Sequence, residues 1–295
     1  MKLVTFDGHR VGRVDGDRVV DLTPLLGPRD EATSGMEHLI RNWERLGPLV
    51  EAAPANETVP LNAVRLEAPM PRVRTIVAAP VNYKDHQIEM QQIGDVSHLG
   101  VFLKAPGSLL APGGVVQLPY SDRRFDQEGE LALFIGRRAS HVSTADALDY
   151  VFGYTGLFDI TMRGGEDRST RKSFATFTPM GPWIVTADEV GDPDTLDLEC
   201  SVSGELRQKA NTRDLIWGVR ELVSYVSSIF PLEPGDVITT GTPAGVGPLV
   251  AGDTIQLDLG RIGRLTVDVA ADHAKPCPTL GKDSGPPAPP HPNDR

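Results

Sequence analysis

Cysteine is nearly absent. Only Cys200 and Cys277 occur in 295 residues, far apart and in no CxxC pair, so a disulfide framework and a cysteine-built zinc site are both excluded. Positive charge is scarce too: 29 Lys and Arg against 40 Asp and Glu leave a net charge of -11. With no basic run, a phosphate-backbone partner has nothing to bind, which sets nucleic acids aside. Long apolar runs are missing. The N-terminus MKLVTFDGHR has no signal-like apolar core, and no window reaches the ~20 apolar residues of a membrane span. The expectation is a cytoplasmic protein with reduced thiols.

What remains is 40% hydrophobic, enough for a large globular core. KLVTF, HRVGRV and RVVDL are separated by Asp7-Gly8 and Asp15-Gly16, the dipeptides of tight hairpins, and predict an antiparallel meander. Met36, Leu39, Ile40, Trp43 and Leu46 keep helical spacing between Ser34 and the Gly47-Pro48 stop, which predicts one short amphipathic helix. Prolines 54, 60, 69 and 71 place a boundary near residue 70. Beyond it the chain is strand-rich (TIVAAP, GVFLK, GVVQL, ELALFIG, YVFGYTGLFDI, PWIVT, LDLECSV, DVITTG, TIQLDLG, RLTVDVA), with one helix over Leu215 to Phe230 capped at Asn211 or Thr212. Many strands with few helices indicate an α+β fold. The domain expectation is a small N-terminal domain over 1–70, a main domain over 71–275 and a disordered tail over 276–295, where seven prolines fall in the last 20 residues.

Chemistry concentrates in a few segments. In FDQEGELALFIG, Glu128 and Glu130 stand two apart and so share one face of a strand. Carboxylates that close repel unless a cation lies between them, and Mg²⁺ or Mn²⁺ suits such oxygen donors; a solvated strand end is the alternative. Asp159, after an apolar strand, offers a third oxygen or is a turn residue, with Arg163 four positions on. Lys172 in RKSFATFTPMGP is a site cation or a surface charge. PGDVITTGTPAGVG, with Gly241 and Thr242, can bring backbone amides to an anion or form an ordinary turn, and lacks the P-loop ending. In NYKDHQIEM, a helix capped by Asn82 sets His86 and Glu89 three residues apart on one face, a general-base pair or a plain surface pair.

In this order NYKDHQIE, VFLK, DQEGELALFIG, GYTGLFDITMR, KSFATFTPMGP, SGELRQKANT and LEPGDVITTGTPAGVG resemble the fumarylacetoacetate hydrolase family over about residues 74 to 270. The resemblance implies a mixed β-sandwich roll with a small N-terminal β-rich domain, commonly a homodimer. It implies one Mg²⁺ or Mn²⁺ on Glu128, Glu130 and Asp159, catalytic roles for His86, Glu89 and Lys172, and a lid carrying His86 and Glu89, with Gln87, Met90 and Gln91 as candidate pocket residues. Substrate contacts are expected at Tyr83, Arg163, Gly241 and Thr242. The implied activity is hydrolysis of a C–C bond in a 2,4-dioxo acid, through an enolate that the metal stabilises. Isomerisation or decarboxylation of 2-oxo or 2-hydroxydienoic acids needs almost the same site, and a non-catalytic oxo-acid binder is the third reading. Phe158, Ala175 and Ser203 depart from the family pattern of Asn, Asp and Asn, and are expected to remove polar groups near the site.

Overall fold

The computed structural model describes residues 1–55 and 58–283. Three sheets build it. The largest, of 11 strands, runs from Thr58–Pro60 through the N-terminal meander, then Thr178–Thr186, Val151–Phe158, Gly129–Ile135, Val237–Thr239 and Ile76–Ala78, to Phe102–Lys104 at its edge. A five-stranded sheet (Glu205–Asn211, Asp197–Val202, Thr254–Asp258, Arg264–Ala270, Val115–Gln117) packs on it, and a three-stranded sheet joins Thr161–Met162, Phe125–Gln127 and Gly247–Pro248. Strand-rich mixed sheets are what the sequence pattern predicts. Among the described residues no helix is long and apolar enough to cross a membrane.

The strand GELALFI at 129–135 is buried along its whole length, and its alternation serves two cores. Leu131, Leu133 and Ile135 pack with the five-stranded sheet and the helix Val219–Ile229. Ala132 and Phe134 face Met36, Leu39, Ile40 and Leu46 from the N-terminal helices. Each such side chain contributes roughly 1.5–3 kcal/mol by leaving water, so one strand ties both halves of the molecule together.

That strand explains why the first 70 residues are not set apart. Lys2 and Leu3 pair with Val185 and Ile184, so the meander extends the main sheet and shares its core instead of closing one of its own. The turns at Asp7-Gly8 and Gly16 do take positive φ. The single helix expected to stop at Gly47-Pro48 is two helices, Gly35–Arg41, capped by Ser34, and Trp43–Ala52. The break falls at Asn42. Pro48 lies inside the second helix, with Leu46 and Val50 buried on either side, and that burial offsets the hydrogen bond a helical proline loses. The later helix begins at Val219 behind Gly218, and Asn211 instead caps the short turn Thr212–Asp214. Strand Glu205–Asn211 carries no apolar alternation, with only Gln208 fully buried, and periodicity does not find it.

Residues 284–295 of the proline-rich tail lie outside the described residues. The part before them is docked. Cys277 N donates to Asp122 (2.8 Å) and Gly165 N to Gly281 O (2.9 Å). Between these, the Arg123 guanidinium donates to both Glu166 oxygens at 2.8 and 2.6 Å and to Thr279 at 3.2 Å. Arg123 beside it, with a smaller opposing pull from burial, holds the Glu166 carboxyl down at about 2. A depressed carboxyl stabilises the fold above its unfolded pKa near 4.5 and loses that contribution as pH falls toward 2. Glu166→Gln should therefore lower the thermal midpoint by a few degrees at pH 7. Calorimetry should show the gap between variant and wild type closing as pH drops from 5 to 3; a gap that does not depend on pH would show that the ion pair contributes nothing.

Candidate metal centre and active site

Pairing geometry, not chain proximity, assembles the acidic cluster. Glu128 sits at the break between strands Phe125–Gln127 and Gly129–Ile135. Val151–Phe158 lies antiparallel to the latter with Gly129 opposite Phe158, and Asp159 N donates to Glu128 O at 2.8 Å. The register therefore delivers Asp159 beside both glutamates. Ligand oxygens of Glu128, Glu130 and Asp159 all lie within 4.8 Å of one another, and all three residues are buried.

Each carboxylate has a cation or donor built for it. Lys172 Nζ lies 2.6 Å from Glu128 Oε2 and 2.6 Å from Asp159 Oδ2, and donates to Thr161 at 2.7 Å. Lys104 Nζ, fully buried, donates to Asp159 Oδ1 at 2.5 Å and to the Lys172 carbonyl. Arg163 binds Asp126 (2.6 Å) and Glu128 Oε1 (3.1 Å), and Arg124 binds Asp126 at 2.7 Å. Glu130 accepts from Thr239 Oγ1 and from Gly241 N at 2.9 Å.

The electrostatics follow from these partners. Burial, then Asp159, drives the Glu130 carboxyl well above the usual range, whereas at Glu128 burial is outweighed by Lys172 and Arg163 and the shift is downward. Lys104 is pushed down by burial against the pull of Asp159. Lys172 is held up by Asp159 and Glu128 in spite of burial. Three hard oxygen donors converging in a buried site fit a divalent Mg²⁺ or Mn²⁺ ion.

The His86 and Glu89 pair lies beside the same cavity, with His86 in its lining. His86 and Glu89 fall on helix Lys84–Glu89, with His86 Nδ1 2.8 Å from Glu89 Oε2. The side chains are 6% and 3% exposed, so this is not a surface pair. The second Glu89 oxygen accepts from Gly245 N at 3.0 Å. Gly245 has φ +99°, and a Cβ there would lie 1.9 Å from Arg207 O, so this contact requires glycine. Asn82 does not cap the helix. Its amide donates to Trp217 O and Thr240 O, both at 2.8 Å, and its carbonyl oxygen accepts from Trp217 N.

His86, Glu128, Glu130, Asp159, Arg163 and Lys172 all line this cavity, and so does Thr242. The Thr242 hydroxyl donates to Gly129 O at 3.0 Å and accepts from Gln208 at 2.7 Å. Tyr83 and Gly241 do not line it. Tyr83 is 1% exposed with its hydroxyl unpartnered, and the Gly241 amide is committed to Glu130. Of the three lid side chains named from sequence, Met90 alone borders the cavity, joined by Gln92.

The three departures from the family pattern leave the site intact. Phe158 is buried in the core, Ala175 is exposed, and Ser203 is an exposed hairpin-turn residue bonded to Asp253. None of them lines the cavity, so the expected loss of polar groups there does not occur. Sequence reasoning assigned no role to Lys104, Thr239 or Gln208. VFLK is a short edge strand in which a lysine reads as solvated, and only its pairing with Ile76–Ala78 turns Lys104 inward.

Residues 75–270 match the family described as fumarylacetoacetate (FAA) hydrolase, C-terminal. A maleylpyruvate hydrolase of Aquipseudomonas alcaligenes is 42% identical over 287 residues, covering 91% of this chain and 99% of that protein. The crystal structure of maleylpyruvate hydrolase from Sphingobium sp. SYK-6 in complex with manganese(II) and pyruvate superposes with a TM-score of 0.84 at 41% identity. That match covers 94% of this chain and 100% of the other. An oxaloacetate tautomerase of Bacillus subtilis is 39% identical over 220 residues, 70% of this chain and 73% of that protein. The match over residues 75–270, joined to relatives this similar over nearly full length, makes the chain a member of the fumarylacetoacetate hydrolase family.

Proposed function

We propose that this protein is a divalent-metal-dependent hydrolase that cleaves a C–C bond in an acylpyruvate-like 2,4-dioxo acid. One observation carries the reading: a single cavity has three converging carboxylates on one wall and a buried histidine, oriented by a glutamate, on another. The manganese and pyruvate of the Sphingobium relative support the ion and the product. Glu128, Glu130 and Asp159 would hold Mg²⁺ or Mn²⁺. The ion supplies Lewis-acid stabilisation of negative charge developing on the oxygens of a 2-oxo acid.

His86 does the proton work. With Nδ1 bonded to the Glu89 carboxylate, the ring proton sits on Nδ1 and Nε2 is the free base. Nε2 takes a proton from water as the water oxygen adds to the carbonyl distal to the 2-oxo acid. The C3–C4 bond then breaks, and its electron pair passes to the pyruvate enolate. The proton taken up at Nε2 passes to C3 to complete pyruvate, and the distal half leaves as a carboxylic acid carrying the water oxygen. Lys172 places a second positive charge beside the developing enolate, an electrostatic contribution of the preorganised kind.

The cavity as it stands measures about 50 Å³, room for a few waters and too little for a dioxo acid. Helix Lys84–Glu89 is therefore taken to swing outward to admit substrate, consistent with Ile88 and Ile93 being 70% and 97% exposed on that segment. A second reading, isomerisation or decarboxylation of a related oxo acid, is favoured by the tautomerase relative and needs the enolate but no activated water. A homodimer is part of the proposal, supported by the edge strand Phe102–Lys104, where Leu103 is 48% exposed.

His86→Ala should lower hydrolysis of acetylpyruvate or fumarylpyruvate by about 10² to 10⁴ while titration calorimetry finds Mn²⁺ affinity unchanged. Undiminished turnover would remove His86 from the mechanism. Oxaloacetate decarboxylation as the main activity, surviving that substitution, would favour the second reading. Since groups that merely orient a metal ligand are worth 10–100-fold in affinity, Glu130→Gln should weaken Mn²⁺ binding by roughly 100-fold or more; wild-type affinity would exclude the cluster as the ion's site. Light scattering should give twice the chain mass, and a monomer would count against the dimer.

A further inference from the structure

Two cations of the cavity are left over. Asp126, Glu128 and Asp159 are contacted by Arg124, Arg163, Lys104 and Lys172, while Glu130 is held by the Thr239 hydroxyl and the Gly241 amide. Arg168 and Arg171, on the short helix Arg168–Arg171, line the same cavity, and neither meets a carboxylate. Arg171 is only 7% exposed. Its hydrogen bonds go to two backbone carbonyls, from Nε to Glu166 O at 2.8 Å and from Nη1 to Met162 O at 3.3 Å. Arg168 is half-buried, and among the described residues its guanidinium has no hydrogen bond or ion pair. Burial disfavours the charge on Arg171 and Arg163 and Arg168 repel it, against a weaker pull from Glu128 and Asp159, neither of which it contacts. Guanidinium does not escape such a site by losing its proton, and a buried cation without a counter-ion is costly.

From this we propose that Arg168 and Arg171 form a carboxylate subsite for the far end of the substrate, so that the enzyme selects 2,4-dioxo acids ending in a second carboxylate. The proposal rests on the reading of the site given above for its chemistry, and adds the substrate class and the residues that choose it. The carboxylate wall cannot serve this end of the molecule, since it repels anions unless a cation intervenes. Arg171 Nη2 and all the donors of Arg168 remain for the planar pairing that guanidinium makes with carboxylate. Arg163, the arginine singled out from sequence, is already spent on Asp126 and Glu128.

Fumarylpyruvate and acetylpyruvate share the scissile carbonyl and differ in what it carries at the far end, a vinylene carboxylate (CH=CH–CO2⁻) against a methyl. Wild type should favour fumarylpyruvate. Arg168→Met should lower kcat/KM for fumarylpyruvate by about 10- to 100-fold, chiefly through KM. Acetylpyruvate should change less than twofold, and Arg168→Lys should recover part of the loss. Equal losses on both substrates, or none on either, would overturn the subsite. Arg171 also ties two carbonyls, so Arg171→Lys is read beside its thermal midpoint, and a selective rise in KM at unchanged midpoint is expected. Calorimetry with fumarate and with crotonate, its methyl-ended counterpart, gives a readout without turnover. Fumarate binding alone should weaken in Arg168→Met, and equal affinity of wild type for both acids would overturn the proposal. Should wild type hydrolyse neither dioxo acid, the hydrolase reading fails, while a fumarate preference lost in Arg168→Met still supports the subsite.

Discussion

Mutual repulsion among three buried carboxylates is the constraint on which the site depends. Two unit charges 4 Å apart interact by about 4 kcal/mol at an effective dielectric constant of 20. Glu128, Glu130 and Asp159 would therefore protonate or splay apart if left to themselves. The fold answers with fixed positive groups and donors on every side: Lys172 between Glu128 and Asp159, Lys104 behind Asp159, Arg163 on Glu128, and Thr239 with the Gly241 amide on Glu130. These partners hold the carboxylates facing one another, the arrangement a hard divalent ion requires.

The glycine-rich loop after strand Val237–Thr239 links this cluster to the base. Gly241 donates its amide to Glu130, and Gly245 donates its amide to Glu89. Both take positive φ, and a side chain at either would strike neighbouring atoms, Asn82 Cβ at 2.8 Å from the first and Arg207 O at 1.9 Å from the second. One loop thus positions a carboxylate of the cluster and the partner of His86 together. Asn82 adds a tie from the same loop to the start of the lid through Thr240 O. Under the opening proposed above, lifting the helix would part Glu89 from Gly245 and so couple the position of the helix to the orientation of His86.

Much of this was legible in the sequence wherever a residue's role follows from local pattern. Apolar runs locate the strand that carries Glu130 and the one that ends just before Asp159, and i,i+3 spacing finds His86 and Glu89. Roles that depend on what a distant segment brings alongside did not show. Gln208 reads as a polar residue in a polar stretch, yet it accepts from Gly129 N and donates to Thr242 and Pro243. Gly241 and Thr242 lie in the loop that borders the acidic cluster, but their donors turn to protein groups. The split of the N-terminal helix at Asn42 and the shared sheet of the first 70 residues were likewise hidden, since both are decided by the core that Phe134 and Ile184 complete.

The subsite proposed above gives the cavity two unlike ends. One holds carboxylates together with their cation partners, and the other holds Arg168 and Arg171, which among the described residues contact no carboxylate. On that proposal a molecule with an oxo-acid head and an anionic tail would lie with its head toward Glu128, Glu130 and Asp159 and its tail toward the arginines. Reversal would present the tail carboxylate without the neighbouring 2-oxo group and leave the arginines facing a chelating head. His86 borders the same space, so orientation by the two ends would bring the carbonyl between them within reach of water at Nε2. Arginine placement would then control chemistry indirectly, selecting the bond to be broken by fixing the end of the molecule that the proposed reaction does not alter.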